Sequence, residues 1–250
     1  MSESMRIQRA LARAGVASRR HSEVLVAEGR VTVNGRAAQI GQSVDPEKDD
    51  IRVDGAAVRA PSAPVWMLLH KPSGVMTTRS DPNGRQTVFD LVQDAPGLTY
   101  VGRLDYMTEG VLLLTNDGAA AHALTHPSRE VERTYVATVR GDAPTAATVA
   151  RRGVDLEDGA VRPTGVKTRP LGGGMHEFVL TITEGRKREV RRLCTALGLS
   201  VERLVRVRYG PVELGDLPVG KSRPLNSKER RAIDQLAAER TSGNPESEAE

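Results

Sequence analysis

Short runs of alternating apolar residues, separated by turns rich in glycine and proline, recur along most of this 250-residue chain and limit the folds open to it. After the first 60 residues the pattern predicts strands at 65–69, 99–104, 111–115, 134–139, 177–183 and 201–207. Helical spacing is rarer and predicts helices at 119–125, 143–152 and 187–197. Strands that outnumber helices in this way favour an α+β fold with a mixed, largely antiparallel sheet.

The first 58 residues differ from this pattern. Apolar spacing predicts a helix over 6–15 and a second from the N-cap candidate Ser18 to Glu28, each followed by glycine. Two hairpin dipeptides, Asn34-Gly35 and Asp54-Gly55, then predict a small sheet. The stretch 59–64 has the composition of a linker. We therefore predict a small helix–helix–sheet module at 5–58, a linker at 59–64, a larger domain at 65–225 and a partly disordered tail at 226–250.

Charge is concentrated more than the formal net value of +4 suggests. Residues 6–36 hold seven arginines and two acids, and residues 184–208 hold eight basic residues and three acids. Such blocks favour a polyanionic partner. Aromatic residues make up only 3% of the chain, which argues against a broad base-stacking platform.

Other counts exclude whole classes of protein. One cysteine excludes an internal disulfide framework and a multi-cysteine zinc site. No apolar run approaches the ~20 residues that a membrane span needs, and no signal-peptide pattern is evident. His122 and His126 lie four apart, but Ala123 stands where a helical zinc motif needs glutamate. We expect a cytoplasmic protein without a metal or organic cofactor, with no membrane partner.

The arginines of the first module lie close to its two predicted helices. Arg6, Arg9 and Arg13 share one helix face, an arrangement that a solvated surface also explains. The near absence of balancing acids favours phosphate contact instead. The strings RIQRAL (6–11), GVASRR (15–20) and GRVTVNG (29–35) resemble the S4 RNA-binding domain. This resemblance implies RNA binding, and we take Arg6, Arg9, Arg19 and Arg20 as its candidates.

The most distinctive string of the larger domain is VGRLDYMTEGVLLLTNDG at 101–118. It predicts a strand that ends at Leu104, a polar turn, and an apolar run that re-enters the core. Asp105 stands where strand and turn meet, so a rigid strand can hold its carboxylate toward a cleft. Composition alone favours an ordinary surface aspartate at the start of a turn.

That string resembles the catalytic motif of pseudouridine synthases, in particular the RsuA/RluB group that acts on ribosomal RNA. Four further strings match the same group in order: KPSGV (71–75), ERTYVATV (132–139), EGRKREVRRL (184–193) and RVRYGPVELG (206–215). With the S4-like module, the resemblance spans about residues 5–225. Glu189 and Leu193 stand where Gln and Met are common in the group.

The resemblance implies a role for each matched residue. Asp105 is the expected catalytic aspartate, and Tyr135 is the expected tyrosine that packs on the target uracil. Arg191 is the expected basic residue whose side chain pairs with the aspartate. Leu193 is expected as an apolar wall and Arg103 as a contact to the RNA or the flipped nucleotide. Arg186 and Arg188, in the second basic block, complete the predicted substrate-binding set.

Uridine isomerisation fits these residue types. The N1–C1′ bond breaks, the base turns, and a C5–C1′ bond forms. An ionised carboxylate beside an arginine can act as the nucleophile or stabilise positive character at the sugar. A base inside a helix must be flipped out and stacked on a ring, which Tyr135 supplies. We therefore expect a monomeric synthase that acts on ribosomal RNA or a pre-ribosomal particle, with 23S rRNA favoured. The alternatives are 16S rRNA as target, or a non-catalytic RNA-binding protein with the same fold.

Overall fold

A computed structural model describes residues 4–59, 64–92 and 97–238 of the chain. Strands outnumber helices, and the predicted α+β class is confirmed. The helices are α1 (Ile7–Arg13), α2 (Arg19–Ala27), α3 (Gly118–Thr125), α4 (Ala143–Arg152), α5 (Glu189–Ala196) and α6 (Ser227–Ala238). The strands are β1 (Met5–Arg6), β2 (Val31–Val33), β3 (Arg36–Ala37), β4 (Ser43–Val44), β5 (Ile51–Val53), β6 (Ala56–Ala57), β7 (Trp66–Lys71), β8 (Thr99–Val101), β9 (Glu109–Thr115), β10 (Arg133–Arg140), β11 (Val154–Leu156), β12 (Gly159–Val161), β13 (Gly165–Gly172), β14 (Met175–Ile182), β15 (Ser200–Tyr209), β16 (Val212–Glu213) and β17 (Ser222–Pro224).

The N-terminal module, residues 5–58, has the predicted order of two helices and a small sheet. The side chain of Ser18 accepts a hydrogen bond from the backbone N–H of His21 at 3.2 Å, so the predicted N-cap of α2 is confirmed. The sheet has the order β3-β2-β5-β6, with Asn34-Gly35 and Asp54-Gly55 at the two hairpin turns. All four turn residues have positive φ, as a type I′ turn requires.

The larger domain is built on one sheet with the order β13-β14-β10-β15-β9-β7-β17, to which β8 and β16 add short pairings. Every pairing in this sheet is antiparallel except that between β15 and β9. The predicted mixed, largely antiparallel sheet is therefore confirmed. The parallel pairing is short, joining Val205 to Glu109 and Arg206 to Gly110.

Apolar side chains cover both faces of this sheet. One buried cluster joins residues of α4 and α5, such as Ala147 and Leu193, to sheet residues that include Phe178. A second cluster joins α3 to Trp66, Leu113 and other residues. Because both faces are buried, the chemistry is confined to the loops at the ends of the strands and to polar side chains within the sheet.

Two predicted element boundaries are wrong, and both lie beside candidate site residues. The strand predicted over 99–104 ends at Val101 because Gly102 turns the backbone with a φ of +66°. Arg103 therefore lies in a loop instead of on the strand. The helix predicted from 187 begins at Glu189, because Arg188 has a left-handed φ of +51°.

The C-terminal segment is partly described. Helix α6 lies within the segment 226–250 that was predicted as a tail, and its Ile233 is fully buried in the second apolar cluster. The polar tail predicted to be disordered lies, after residue 238, outside the described residues. Most of the predicted linker, residues 60–63, also lies outside them.

Candidate active site

A cleft of about 800 Å³ opens where the loop after β8 faces β10, β15 and the start of α5. Asp105 and Tyr135 line this cleft together with Arg191, so the fold brings the three predicted catalytic residues to one site. Asp105 is half-buried, and Tyr135 is 9% exposed. A carboxylate and an aromatic ring therefore face a common space that is large enough for a nucleotide.

Cations hold the main chain of the loop that follows Asp105. The Lys71 ammonium is fully buried and donates hydrogen bonds to the carbonyl oxygens of Tyr106 at 3.2 Å and Thr108 at 2.9 Å. Between these two, the carbonyl oxygen of Met107 accepts a hydrogen bond from Arg191 Nη2 at 2.9 Å. Three consecutive carbonyl groups are thus held by positive charges, which fixes the backbone beside the carboxylate.

Burial lowers the pKa of Lys71 to about 8, although the charges of Asp105 and Glu109 oppose the shift. The nearby guanidinium of Arg206 lowers this pKa further. The ammonium keeps its place because its three donors all find carbonyl oxygens, the third being that of Pro72 at 2.9 Å. Lys71 begins the matched string KPSGV, but that match does not indicate which backbone groups its side chain would hold.

Arg191 lies close to Asp105 without forming the predicted ion pair. Within the described part of the chain, no contact of 4 Å or less joins the guanidinium of Arg191 to the carboxylate of Asp105. Burial lowers the pKa of Arg191, as does the charge of Arg188, whereas the charge of Asp105 raises it. The two groups therefore interact electrostatically while Arg191 is bonded to the Met107 carbonyl.

Leu193 and Glu189 both lie on the inner side of α5. Leu193 is fully buried in the first apolar cluster and does not itself line the cleft. Glu189 is 3% exposed, and its Oε2 accepts a hydrogen bond from the backbone N–H of Arg186 at 3.1 Å. Burial raises the pKa of this carboxyl. Glu189 therefore holds the turn before α5 and is no surface charge toward RNA.

Three further arginines of the predicted substrate-binding set line the cleft, in two different states. Arg103 and Arg188 are exposed. The guanidinium of Arg186 is instead bound by the protein, through the carboxylate of Glu184 and the carbonyl oxygens of Gly159 and Ala160. Arg186 thus joins the β11–β12 hairpin to the turn before α5, which leaves it few donors for a substrate.

Arg206 also lines the cleft, and the motif interpretation assigned it no role. It is 2% exposed and lies opposite Tyr135 in the β10–β15 pairing. Two guanidinium groups lie over the ring of Tyr209, with Arg206 at 5.0 Å and Arg133 at 5.3 Å from its centroid. The sequence holds one signal of this position: Arg206 begins the last matched string, inside a predicted strand.

The four arginines predicted to bind RNA in the N-terminal module share a second groove. Arg6, Arg9, Arg19 and Arg20 all line it, and residues of α3 form its other side. Thr125, at the end of α3, lines both this groove and the active-site cleft. Thr125 is thus shared by the lining of the two depressions.

Among the described residues, no group of three or more His, Cys, Asp or Glu side chains is placed to hold a metal ion. No helix of the described ranges has the length and apolarity to cross a bilayer. The thiol of Cys194 is buried, and burial raises its pKa to about 12.

Comparison with known families identifies the class of this protein. The family model described as RNA pseudouridylate synthase matches residues 65–196, and the S4 domain model matches residues 5–51. The chain belongs to the RNA pseudouridylate synthase family and carries an S4 domain. It is thus an isomerase of the pseudouridine synthase type, as its motifs predicted.

Individual relatives are similar over nearly the whole chain. The chain is 44% identical over 236 residues to a protein of Mycobacterium leprae named uncharacterized RNA pseudouridine synthase, covering 92% of each. It is 41% identical over 237 residues to the ribosomal large subunit pseudouridine synthase B of Bacillus subtilis, covering 93% of this chain and 96% of the relative. A crystal structure of a pseudouridylate synthase matches with a TM-score of 0.63 and 27% identity, covering 92% of this chain and 99% of that one.

Proposed function

We propose that this protein isomerises a specific uridine of ribosomal RNA to pseudouridine, with 23S rRNA of the large subunit as the favoured target. The observation that carries the proposal is the common cleft in which the Asp105 carboxylate faces the Tyr135 ring and Arg191. The choice of ribosomal RNA draws on relatives, among them the Bacillus subtilis protein named ribosomal large subunit pseudouridine synthase B. The proposed activity carries a cytoplasmic location with it.

Asp105 is the proposed catalytic group. Its carboxylate either attacks C1′ or removes a sugar proton to form a glycal, and both routes release the base from the ribose. The held backbone from Tyr106 to Thr108 keeps this carboxylate at the cleft without a paired side chain. Arg191 places a positive charge near this carboxylate, and the charge of Asp105 in turn raises the pKa of Arg191.

Tyr135 is proposed to receive the flipped uracil on its ring. Its side chain is largely buried by the core behind it, so the face toward the cleft is rigid. Its hydroxyl group can relay the C5 proton, directly or through water. Leu193 supports the ring region from within the core, which is an indirect version of the predicted apolar wall.

RNA contacts are divided between two surfaces in this proposal. Arg103 and Arg188 contact the nucleotides beside the target, because both are exposed at the cleft. The arginines of the N-terminal module, at positions 6, 9, 19 and 20, bind a structured part of the RNA. Arg186 has a structural role in place of the predicted substrate contact, because protein groups occupy its guanidinium.

We also propose the domain boundaries that the sequence predicts. Residues 5–58 bind RNA, residues 59–64 form a linker, and residues 65–225 carry out catalysis. The two family matches, at 5–51 and 65–196, support this division. The burial of Ile233 in the second apolar cluster extends the catalytic domain beyond residue 225 to include helix α6. We propose that the protein acts as a monomer.

Tritium release tests the reaction. Ribosomal RNA labelled at uridine C5 is incubated with the wild type, with Asp105→Asn and with the control Asp155→Asn, an exposed aspartate of β11 outside the cleft. Release by the wild type and the control, but not by Asp105→Asn, is the expected result. Equal release by Asp105→Asn would refute the catalytic assignment, and no release from either 23S or 16S rRNA by the wild type would refute the function. A binding protein without catalysis would give that last result while still binding the RNA.

Separate 23S and 16S transcripts distinguish the two target classes, and mapping the product locates the modified uridine. Release from 16S rRNA alone would overturn the large-subunit assignment and leave the chemistry intact.

A further inference from the structure

Arg206 lies inside the sheet that forms the floor of the active-site cleft. It stands at the centre of β15, between Tyr135 on β10 and Gly110 on β9. Directly opposed residues of an antiparallel pair project to the same side of a sheet, so Arg206 and Tyr135 share the side that faces the cleft. At 2% exposure, this guanidinium is among the most buried charges of the described chain.

The contacts of Arg206 leave part of its guanidinium unused. Nε donates a hydrogen bond to the carbonyl oxygen of Val111 at 2.8 Å. The ring of Tyr209 supports the guanidinium plane at 5.0 Å. Within the described residues, however, neither Nη1 nor Nη2 has a hydrogen-bond partner, and no carboxylate lies within 4 Å of the group.

A buried cation with unused donors is unfavourable unless something in the cleft completes its contacts. Protein groups fix one side of Arg206 through Val111 and Tyr209, so the side chain is oriented in advance. Such a preorganised donor is typical of a group that binds a negatively charged acceptor when the substrate enters.

The depth of Arg206 distinguishes a base from a phosphate as that acceptor. Phosphates of an RNA strand stay at the mouth of a cleft, because the strand continues on both sides of the flipped nucleotide. The exposed Arg103 and Arg188 are placed at the mouth. Arg206 is buried where Arg103 and Arg188 are exposed, and it pairs with Tyr135, whose ring is proposed to stack on uracil. The edge of the stacked base is therefore the acceptor best placed for it.

We propose that Arg206 binds the carbonyl oxygens of the target uracil and stabilises the negative charge that the base acquires when it leaves the ribose. The proposal rests on the proposed function and adds a substrate-binding residue to it. An arginine suits this role because it only donates hydrogen bonds and keeps its charge throughout.

When the N1–C1′ bond breaks, its electron pair leaves with uracil, and the charge spreads over N1, O2 and O4. Arg206 donates hydrogen bonds to the oxygens and transfers no proton. C5 then forms the bond to C1′, the C5 proton is lost, and N1 gains a proton, so that pseudouridine is neutral. No oxidant, reductant or additional reactant is required.

The symmetry of uracil makes one arginine sufficient for both halves of the reaction. Turning the base about the axis through N3 and C6 exchanges N1 with C5 and also O2 with O4. The oxygen that leaves the Arg206 donors is therefore replaced by an equivalent one. Arg206 can hold the base before and after the turn while its own side chain stays fixed by Val111 and Tyr209.

The test uses a short RNA around the mapped uridine, with oxygen, 2-thio or 4-thio at the target base. Single-turnover rates are measured for the wild type, Arg206→Met and Arg206→Lys. The control is Arg208→Met, whose arginine lies on the same strand and donates Nε to the Gly210 carbonyl. Sulfur accepts hydrogen bonds poorly, so the thio substrates probe the contact in the wild type, without any change to the protein.

We expect Arg206→Met to lower the single-turnover rate about 100- to 1000-fold, the loss typical of an oxyanion donor, with RNA affinity changed less than about threefold. Arg206→Lys should recover part of the rate. The wild type should react more slowly with at least one thio substrate, and Arg206→Met should not respond to the sulfur. Arg208→Met should behave as the wild type.

Two results would overturn the proposal. One is an Arg206→Met variant that retains the wild-type rate, and the other is a wild type that processes both thio substrates as fast as uridine. The second is decisive even if Arg206→Met does not fold. Either result leaves an active wild type and so leaves the proposed function standing, whereas failure of that function shows as a wild type inactive on every RNA.

Discussion

Substituting alanine for Gly110 should disrupt the pairing of β9 with β15 beside the candidate site. Gly110 has a φ of +108°, and a Cβ atom there would lie 2.1 Å from the carbonyl oxygen and 2.7 Å from the nitrogen of Arg206. Both are backbone atoms of the parallel pairing between β9 and β15. No flexible side chain can yield, so the strands must separate where Arg206 and the Asp105 loop are held.

The cost has two parts. A left-handed φ costs an ordinary residue about 1–2 kcal/mol. Overlap inside a packed region adds about 1–3 kcal/mol, for a total of about 2–5 kcal/mol. Gly172 is the matched control, because its φ is +87° and nothing lies within 4 Å of its would-be Cβ. Alanine at position 172 therefore carries only the first part.

Urea denaturation followed by the fluorescence of Trp66 measures the difference. Trp66 is the only tryptophan of the chain, is 3% exposed, and pairs with Thr115 of β9, so its signal reports on the catalytic sheet alone. We expect Gly110→Ala to lie about 1–3 kcal/mol below Gly172→Ala in unfolding free energy. Equal stability of the two variants would refute the claim that the close approach of β9 and β15 requires glycine.

Three further predictions concern binding and stability. Replacing Arg6, Arg9, Arg19 and Arg20 with Ala should weaken rRNA binding and flatten its salt dependence in filter-binding assays, and an unchanged salt slope would show that the module does not contact phosphate. For Lys71, the folded-state pKa of about 8 lies below the 10.5 of the unfolded chain. The unfolded state therefore binds more protons between these values, and unfolding free energy should rise with pH by up to about 3 kcal/mol. Urea titrations across this range should show that rise in the wild type, and its persistence in Lys71→Met would assign it to another group. Tyr209→Phe should cost about 1–2 kcal/mol in urea unfolding, because the hydroxyl donates a buried hydrogen bond to the Leu124 carbonyl at 2.8 Å, and a neutral substitution would contradict this.

Much of the fold follows from local patterns. Alternation predicted most strands of the large sheet, and glycine or a polar cap marked the helix ends, as Ser18 does for α2. Alternation failed at β11 to β13, where exposed polar residues and glycines give weak signals. It also overran β8, because Gly102 turns the chain before the apolar Leu104.

Site residues could be predicted where they stand inside a recognisable sequence motif. They could not be predicted where the role of a residue depends on its contacts in the folded chain. Asp105 and Tyr135 were found from strings of sequence. The role of Arg186 could not be predicted in the same way, because the carbonyl oxygens that accept its hydrogen bonds lie on a hairpin about 26 residues earlier in the chain. Arg206 shows the same limit, since its burial depends on the pairing of β15 with strands distant in sequence.

The loop beyond Asp105 is held through its backbone carbonyl groups, and every amino acid offers the same carbonyl whatever its side chain. Tyr106 and Met107, at 41% and 54% exposure, can therefore be exchanged without disturbing the bonds from Lys71 and Arg191. The tip of the loop is free to diversify while the carboxylate beside it stays in place. Selection, or an engineer, can alter which RNA surface this tip meets by changing two side chains and leaving the reaction centre untouched.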